Sequence, residues 1–319
     1  MRIPATSADV DRPGLIQAQP VRHPWRWVAI AAIAVLAAML ANLIFTNDAF
    51  EWSFVFKAMV QTPVLRGLYI GTLLTTVLAM TVGILGGVLT AVMRLSDNPI
   101  LSGVAWVFTW FFRGIPRYVL LFTMGTLGIL FKQGLGLGVP FDWKIMELLG
   151  ISGSWRFATL DANALFTGLF GAVLGLGLSE AAYMSEIARA GILSVDTGQA
   201  EAAEALGMSK GKSMIRIVLP QAMRVIVPPT GNETIAMVKD TSLLIALPLN
   251  TELFFQLSSI GSRTFKTFPA AVAASIWYLI VTSILMVGQY YLEQHFGRGF
   301  GQPKPKNKRF ARGAGMGGA

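Results

Sequence analysis

The sequence predicts an all-α integral membrane protein, a bundle of apolar helices. Three observations carry this. Only 13% of the 319 residues are charged and 54% are hydrophobic, with a mean hydropathy of +0.58. A soluble domain carries about 25% charged residues, so this chain has too little polar surface to cover a globule in water. The apolar residues also fall in successive stretches close to the roughly 20 residues that a helix needs to cross a bilayer.

Residues 1–26 are polar, carry Arg2, Arg12, Arg22 and Arg26, and predict a cytoplasmic disordered tail. An unbroken apolar run follows, Trp27 to Phe45. It exceeds the roughly 7–15 residues of a signal-peptide core, so it predicts an uncleaved span. With its outer loop it forms a segment over 27–64. A second span covers Gly67 to Met93 and ends at Arg94. A third lies within Leu101 to Phe131, interrupted by Arg113, Gly114, Pro116 and Arg117. Residues 132–164 are Gly-rich and mixed, and predict a long extramembrane loop. A fourth span covers Leu165 to Ile187. Residues 194–224 are polar. A fifth span, Val225 to Leu247, is expected to break at Pro228-Pro229 and again at Lys239-Asp240. A sixth covers Ala270 to Tyr291, and a basic tail occupies 298–319.

Six spans put both termini on one side. Basic residues mark the cytoplasmic side of a membrane protein. The tails, Arg94, Lys210, Lys212, Arg216 and Arg224 then lie together in the cytoplasm, and the chain is multi-pass. The net charge of +9 follows from this topology rather than from nucleic-acid binding. The C-terminal tail is either seated on anionic lipid or solvated. Absence of cysteine excludes disulfides, thiolate metal sites and cysteine nucleophiles. Gly83 with Gly87, and Gly171 with Gly175, have the spacing that lets helix backbones approach, and predict packing.

The loop 194–224 carries the most information. Gly198-Gln199-Ala200-Glu201-Ala202-Ala203-Glu204-Ala205-Leu206 favours helix. Gly207 is placed to end it in a left-handed turn. Ser209 is expected to cap a second short helix, which Pro220 is expected to stop. Small alanines let another protein reach the backbone, and Glu201 and Glu204 share one edge. A solvated amphipathic loop is the alternative. Gly207-Met208-Ser209-Lys210-Gly211-Lys212-Ser213 is not a phosphate-binding loop. It has three residues between its glycines, where the motif needs four, and no hydrophobic strand precedes it.

Polar residues within the spans are the other candidates. Placing Glu180 near a bilayer centre costs about 2.5–3.5 kcal/mol, so it is expected to face the bundle interior. There it contacts substrate or a gate partner, or makes a structural hydrogen bond. Tyr183 shares its face. Asn232, Thr241 and Ser242 are either substrate contacts along a broken helix or packing groups. Glu186 and Arg189, three apart, predict a structural ion pair.

Glu201-Ala202-Ala203, then Gly207, Ile217 and Leu219-Pro220 resemble the EAA loop of ABC importer permeases. Ala182 to Ile192, Arg113-Gly114-Ile115-Pro116, and Pro228-Pro229, Asn232 and Lys239 to Leu243 are similar to segments of the polar amino acid permeases. Ile115 stands where that family has threonine. The likeness spans about 65–297 and leaves 27–45 and 132–164 outside. It implies a type I importer permease bundle in the bacterial plasma (inner) membrane. That bundle would have a five-span core plus one extra N-terminal helix. The loop, through Gly198, Gln199, Glu201, Ala202, Ala203, Gly207, Leu219 and Pro220, would dock on a separate ATPase dimer. That partner would use ATP and magnesium, and this chain would bind no cofactor or metal and be no enzyme. Further implied partners are a second permease chain, an extracytoplasmic amino-acid-binding protein, the amino acid and membrane lipid, with no nucleic acid. An ion-coupled secondary transporter using Glu180 and Glu233, or a membrane scaffold, are the rival readings.

Overall fold

In a computed structural model of the chain, residues 24–131, 134–151, 153, 155–247 and 249–297 are described. The basic residues expected in both tails (Arg26 excepted) and Lys132 lie outside them. The chain divides into two units, Met1–Phe50 and Glu51–Ala319. In the first, α1 runs Pro24–Thr46 and matches the expected span, with Arg26 as its one charged residue. A short 3₁₀ turn, Asp48–Phe50, follows it.

The second unit opens with α2 (Trp52–Met59), which buries Val55, Ala58 and Met59. One continuous helical stretch, Thr62–Arg94, follows. It comprises α3 (Thr62–Arg66), a wide-turned π segment Gly67–Leu74, and α4 (Thr75–Arg94). The wide segment presses glycine against backbone: a Cβ on Gly71 would lie 2.1 Å from the Thr251 carbonyl oxygen. The expected third span is two helices. In α5 (Pro99–Gly114), the Asn98 side chain accepts the Ile100 N–H at 2.9 Å, and α6 runs Arg117–Leu130. Between them Ile115 is extended, with φ −95° and ψ 129°, because a residue preceding proline is pushed out of the helical region.

The described residues within 132–164 form regular elements rather than a loop. The strands β1 (Leu135–Gly138) and β2 (Arg156–Leu160) pair antiparallel and bracket α7 (Asp142–Leu149). α8 (Ala162–Phe166) is capped by Asp161, which accepts the Asn163 N–H at 2.8 Å. Then come α9 (Gly168–Leu193), α10 (Thr197–Ala205), α11 (Lys210–Ser213), a wide-turned segment Met214–Val218 and α12 (Leu219–Asp240). The chain continues through a 3₁₀ segment Thr241–Ala246, α13 (Leu253–Thr264) and α14 (Thr267–Phe296).

Two expectations about proline are corrected. Pro220 does not stop a helix; helical residues run without a break from Lys210 to Asp240, and Pro220 lies just after the wide-turned segment Met214–Val218. Pro228-Pro229 does not break α12 either. The two prolines withdraw the helical bonds to the carbonyls of Arg224 and Val225, four residues earlier, and carbonyls next in the chain take side-chain bonds. Thr230 Oγ1 donates to the Ile226 carbonyl at 2.8 Å, and Gln289 Nε2 of α14 donates to the Pro228 carbonyl at 2.8 Å. Ser209 precedes α11 as expected but makes no side-chain capping bond.

The most extensive helix contact in the unit joins α4 and α9. A Cβ added to Gly83 would lie 2.5 Å from Glu180 Cγ, and one on Gly87 2.5 Å from Met184 Cβ. These glycines let two backbones touch, as their spacing predicts. Gly175 meets Leu121 and Met124 of α6, whereas Gly171 meets the Phe166 backbone. One apolar core unites α4, α6, α9 and the end of α12, around Met80, Leu121, Leu176 and Met237. A second unites α2, α3, α13 and α14 around Val55, Val64, Leu253 and Ala273. Large apolar side chains such as Leu85, Leu89, Leu279 and Ile284 point outward, as lipid-facing surfaces do. Gly87→Val is expected to force α4 from α9 at about 1–3 kcal/mol. A melting curve of the detergent-solubilised chain checks this; an unshifted transition would refute the contact.

Among the described residues three helices are by themselves long and apolar enough to cross a membrane: Pro24–Thr46, Thr62–Arg94 and Thr267–Phe296. α9 has the length, at 26 residues, but carries Glu180, Glu186 and Arg189.

Candidate functional site: a projecting helix and two charge clusters

α10 stands between two long helices, α9 and α12. Asp196 starts it by accepting the Gly198 N–H at 2.8 Å, a cap that the sequence reading did not single out. Gly207 ends it at φ +80°. The Gly207 N–H donates to Glu204 O at 2.9 Å and the Met208 N–H to Ala203 O at 3.0 Å. This pair of bonds is a Schellman turn, which needs the left-handed residue that glycine supplies. Ala203 is buried, and α10 packs on α11 and on 214–218. Gly198, Gln199, Glu201, Ala202 and Glu204 are exposed, and Leu206 is 85% exposed. Leu219 and Pro220 lie apart from this edge, at the start of α12.

Within the bundle the charges fall into two groups. In the first, Arg117 at the start of α6 reaches three carboxylates on two other helices. It hydrogen-bonds Asp240 through Nη1 and Glu180 Oε2 through Nη2 at 2.8 Å, and Glu233 Oε2 is 4.0 Å from Nη2. Glu180 is 0% exposed, and its Oε1 has no hydrogen-bond partner among the described residues. The group thus holds one cation and three acids. In the second, Glu186 holds Arg189 through two bonds, at 2.8 and 3.0 Å. Arg94 and Arg113 lie 3.7 and 3.8 Å from its other oxygen. Here three cations face one acid. Tyr183 joins the groups: Arg117 lies 4.8 Å and Arg113 5.5 Å from its ring centre. Both are within the range in which a cation is drawn to a ring face. A cleft of about 440 Å³ opens beside the second group, lined by Trp106, Trp110, Arg113 and Tyr183 among others.

The structure therefore brings Glu180 and Tyr183 together and leaves three other candidates outside the cluster's bonds. Asn232 is exposed on α12. Thr241 Oγ1 donates to Val238 O and Ser242 Oγ to Lys239 O, both at 2.7 Å, closing the end of α12. The expected Glu186–Arg189 pair is present. Arg117 was legible in the sequence only as an interruption of an apolar stretch. A further buried acid, Glu252, is 0% exposed. It accepts bonds from Tyr278 at 2.6 Å, Thr72 at 3.1 Å and the Phe255 N–H at 3.0 Å. It ties the wide segment of 67–74 to α13 and α14, and no spacing in the sequence points to it.

Comparison with known proteins agrees with this architecture. The chain is 44% identical over 297 residues to the arginine transport system permease protein ArgU of Corynebacterium glutamicum, covering 92% of this chain and 86% of that protein. It is 34% identical over 234 residues to the glutamate/aspartate import permease protein GltK of Escherichia coli O157:H7, covering 73% and 92%. A crystal structure of an amino acid ABC transporter with histidines matches at a TM-score of 0.56 and 27% identity, covering 73% of this chain and 94% of that one. Residues 83–298 match the profile of the binding-protein-dependent transport system inner membrane component. With more than half of its length inside that profile, this chain belongs to the family of inner membrane components of binding-protein-dependent transport systems.

Proposed function

We propose that this chain is the permease subunit of an ATP-driven importer for polar amino acids, and that its substrate is cationic. The observation that carries the coupling half is α10: an alanine-lined helix with a fixed glycine turn, exposed between two long helices. An ATPase dimer grips it from the cytoplasm and supplies the energy of ATP and magnesium. α10 and both chain ends then face the cytoplasm. Gln199, Glu201 and Ala202 form the gripped edge, and Leu219-Pro220 anchors the loop to α12. A second permease chain completes the pathway, and a binding protein delivers substrate from outside.

The substrate half rests on the charge layout. An amino acid with a basic side chain carries two cations and one carboxylate. The acid-rich group at Glu180, Glu233 and Asp240 suits the cations, and the Arg-rich group around Glu186 suits the carboxylate. The names of ArgU and GltK both point to amino acids, and ArgU to a cationic one. The ion-driven rival gives no role to α10. Purified from its native membrane in mild detergent, the chain is expected to bring an equimolar P-loop ATPase. Vesicles of that complex are expected to take up arginine in competition with lysine, and not with glutamate. Uptake driven by an ion gradient without an ATPase would overturn the first half, and equal competition by glutamate the second.

A further inference from the structure

The hairpin module between α6 and α9 buries one acid and exposes several large apolar side chains. Asp142 is buried, accepts the Trp155 N–H at 3.2 Å through Oδ2, and lies 3.6 Å from Arg156 Nε. This clasp ties α7 to β2 on the inside. The outside carries large apolar side chains between charged ones: Phe141 is 72% exposed, Phe157 82% and Leu148 89%, with Trp143 and Trp155 also exposed beside Lys144, Glu147 and Arg156. Large apolar side chains grouped on one small module are costly to leave in water, and grouped exposure of this kind marks a contact.

Position selects the contact. β1 starts five residues after α6 ends at Leu130, and Asp161 alone separates β2 from α8. The first tether spans at most about 18 Å when fully extended. α8 packs on α6 and α9, so the module stays beside the ends of these two helices. Those ends are opposite α10, because α9 runs from the module to α10. Leu130 and Phe131 at the end of α6 are exposed and line the same cleft of about 700 Å³ as Phe141 and Trp143, together with Asp142 and Arg156. Aromatic residues at a membrane boundary favour the headgroup level, where an amphipathic ring has one end dry and one wet. Lys144, 5.7 Å from the Trp143 ring, adds a cation at that level.

We infer that the module formed by β1, α7 and β2 is seated in the lipid interface on the membrane face opposite α10, with Phe141, Leu148 and Phe157 in the acyl boundary. It would anchor the α6 and α9 ends there. A soluble protein that binds and leaves would return these side chains to water at every cycle, whereas lipid covers them continuously. The inference does not depend on the identity of the transported substrate.

The chain has no cysteine, so Phe157→Cys and Leu148→Cys each carry one bimane label on the full chain. The labelled chains are reconstituted in phosphatidylcholine–phosphatidylglycerol vesicles with and without brominated acyl chains. Ile129→Cys, on an exposed position of α6, serves as the lipid control and Lys210→Cys as the aqueous one. Labels at 157 and 148 are expected to lose emission to bromolipid as the label at 129 does, and to resist iodide. Loss of emission to iodide alone would overturn the inference, and so would resistance to both quenchers, which assigns the face to a protein partner. A second reading avoids labels: Trp143→Phe and Trp155→Phe are each expected to lower the share of tryptophan emission that bromolipid quenches. An unchanged share in both variants would count equally against the seat.

Discussion

Gly207→Pro is expected to reduce uptake to background while the chain still inserts and purifies normally. Gly207 holds φ +80° and its N–H closes the α10 turn on Glu204. Proline locks φ near about −65° and has no N–H, so both features are lost together. The end of α10 is then re-aimed, and an ATPase gripping it moves nothing. A loss of about 100-fold corresponds to the upper range of a coupling free energy. Gly207→Ala separates this from a simple folding defect. A Cβ at 207 meets nothing within 4 Å, so alanine incurs only the left-handed conformation, about 1–2 kcal/mol, and uptake should fall partially. Glu201→Lys tests the gripped edge without touching the turn. The residue is exposed, so stability should hold while uptake is lost. Uptake by reconstituted vesicles and substrate-stimulated ATPase activity read all three variants. Full transport in Gly207→Pro would end the coupling role of α10.

Arg117→Ala is expected to have the largest effect on the bundle itself. It leaves Glu180, fully buried, facing Glu233 and Asp240 with no cation among them. Removing one partner of a buried pair leaves an uncompensated charge at a cost of about 3–5 kcal/mol. The melting temperature of the solubilised chain should fall, and uptake should be lost. In Arg117→Ala with Glu180→Ala the buried charge is gone with its partner. Stability should then return in large part, since deleting both members of a pair is far milder than deleting one. Transport should not return, because the acid-rich group no longer has its centre. The coupling between the two substitutions is read from a double-mutant cycle. A single variant melting like the parent chain would show that Arg117 does not hold the cluster.

The two tests fall on opposite sides of what could be read in advance. α10 and its turn follow from local chemistry: alanine and glutamate favour helix, and glycine alone tolerates the left-handed turn at low cost. The residues of the projecting helix were therefore legible in order. Arg117 was not, because its three acids come from positions 63 to 123 residues away. Nothing local distinguishes a basic residue that closes a buried cluster from one that ends a span. The same holds for Glu252, whose partners Thr72 and Tyr278 lie 180 and 26 residues distant. Pro220 and Pro228-Pro229 show the limit in another form. Proline's effect depends on the helix around it: Pro220 follows a wide-turned segment and Pro228-Pro229 lie inside α12, and no local signal gives either placement.

By itself the sequence determined the membrane class, the apolar helices, the use of glycine pairs for packing, and the projecting α10. Each depends on transfer to lipid or on bonds within a few residues, and both are written in composition and spacing. Tertiary structure alone decided which acids meet Arg117, which helix each glycine pair meets, that α12 runs on through its prolines, and that Phe141, Leu148 and Phe157 stand exposed. Those outcomes depend on distant groups brought within hydrogen-bonding reach, and that distance exists only once the chain has folded.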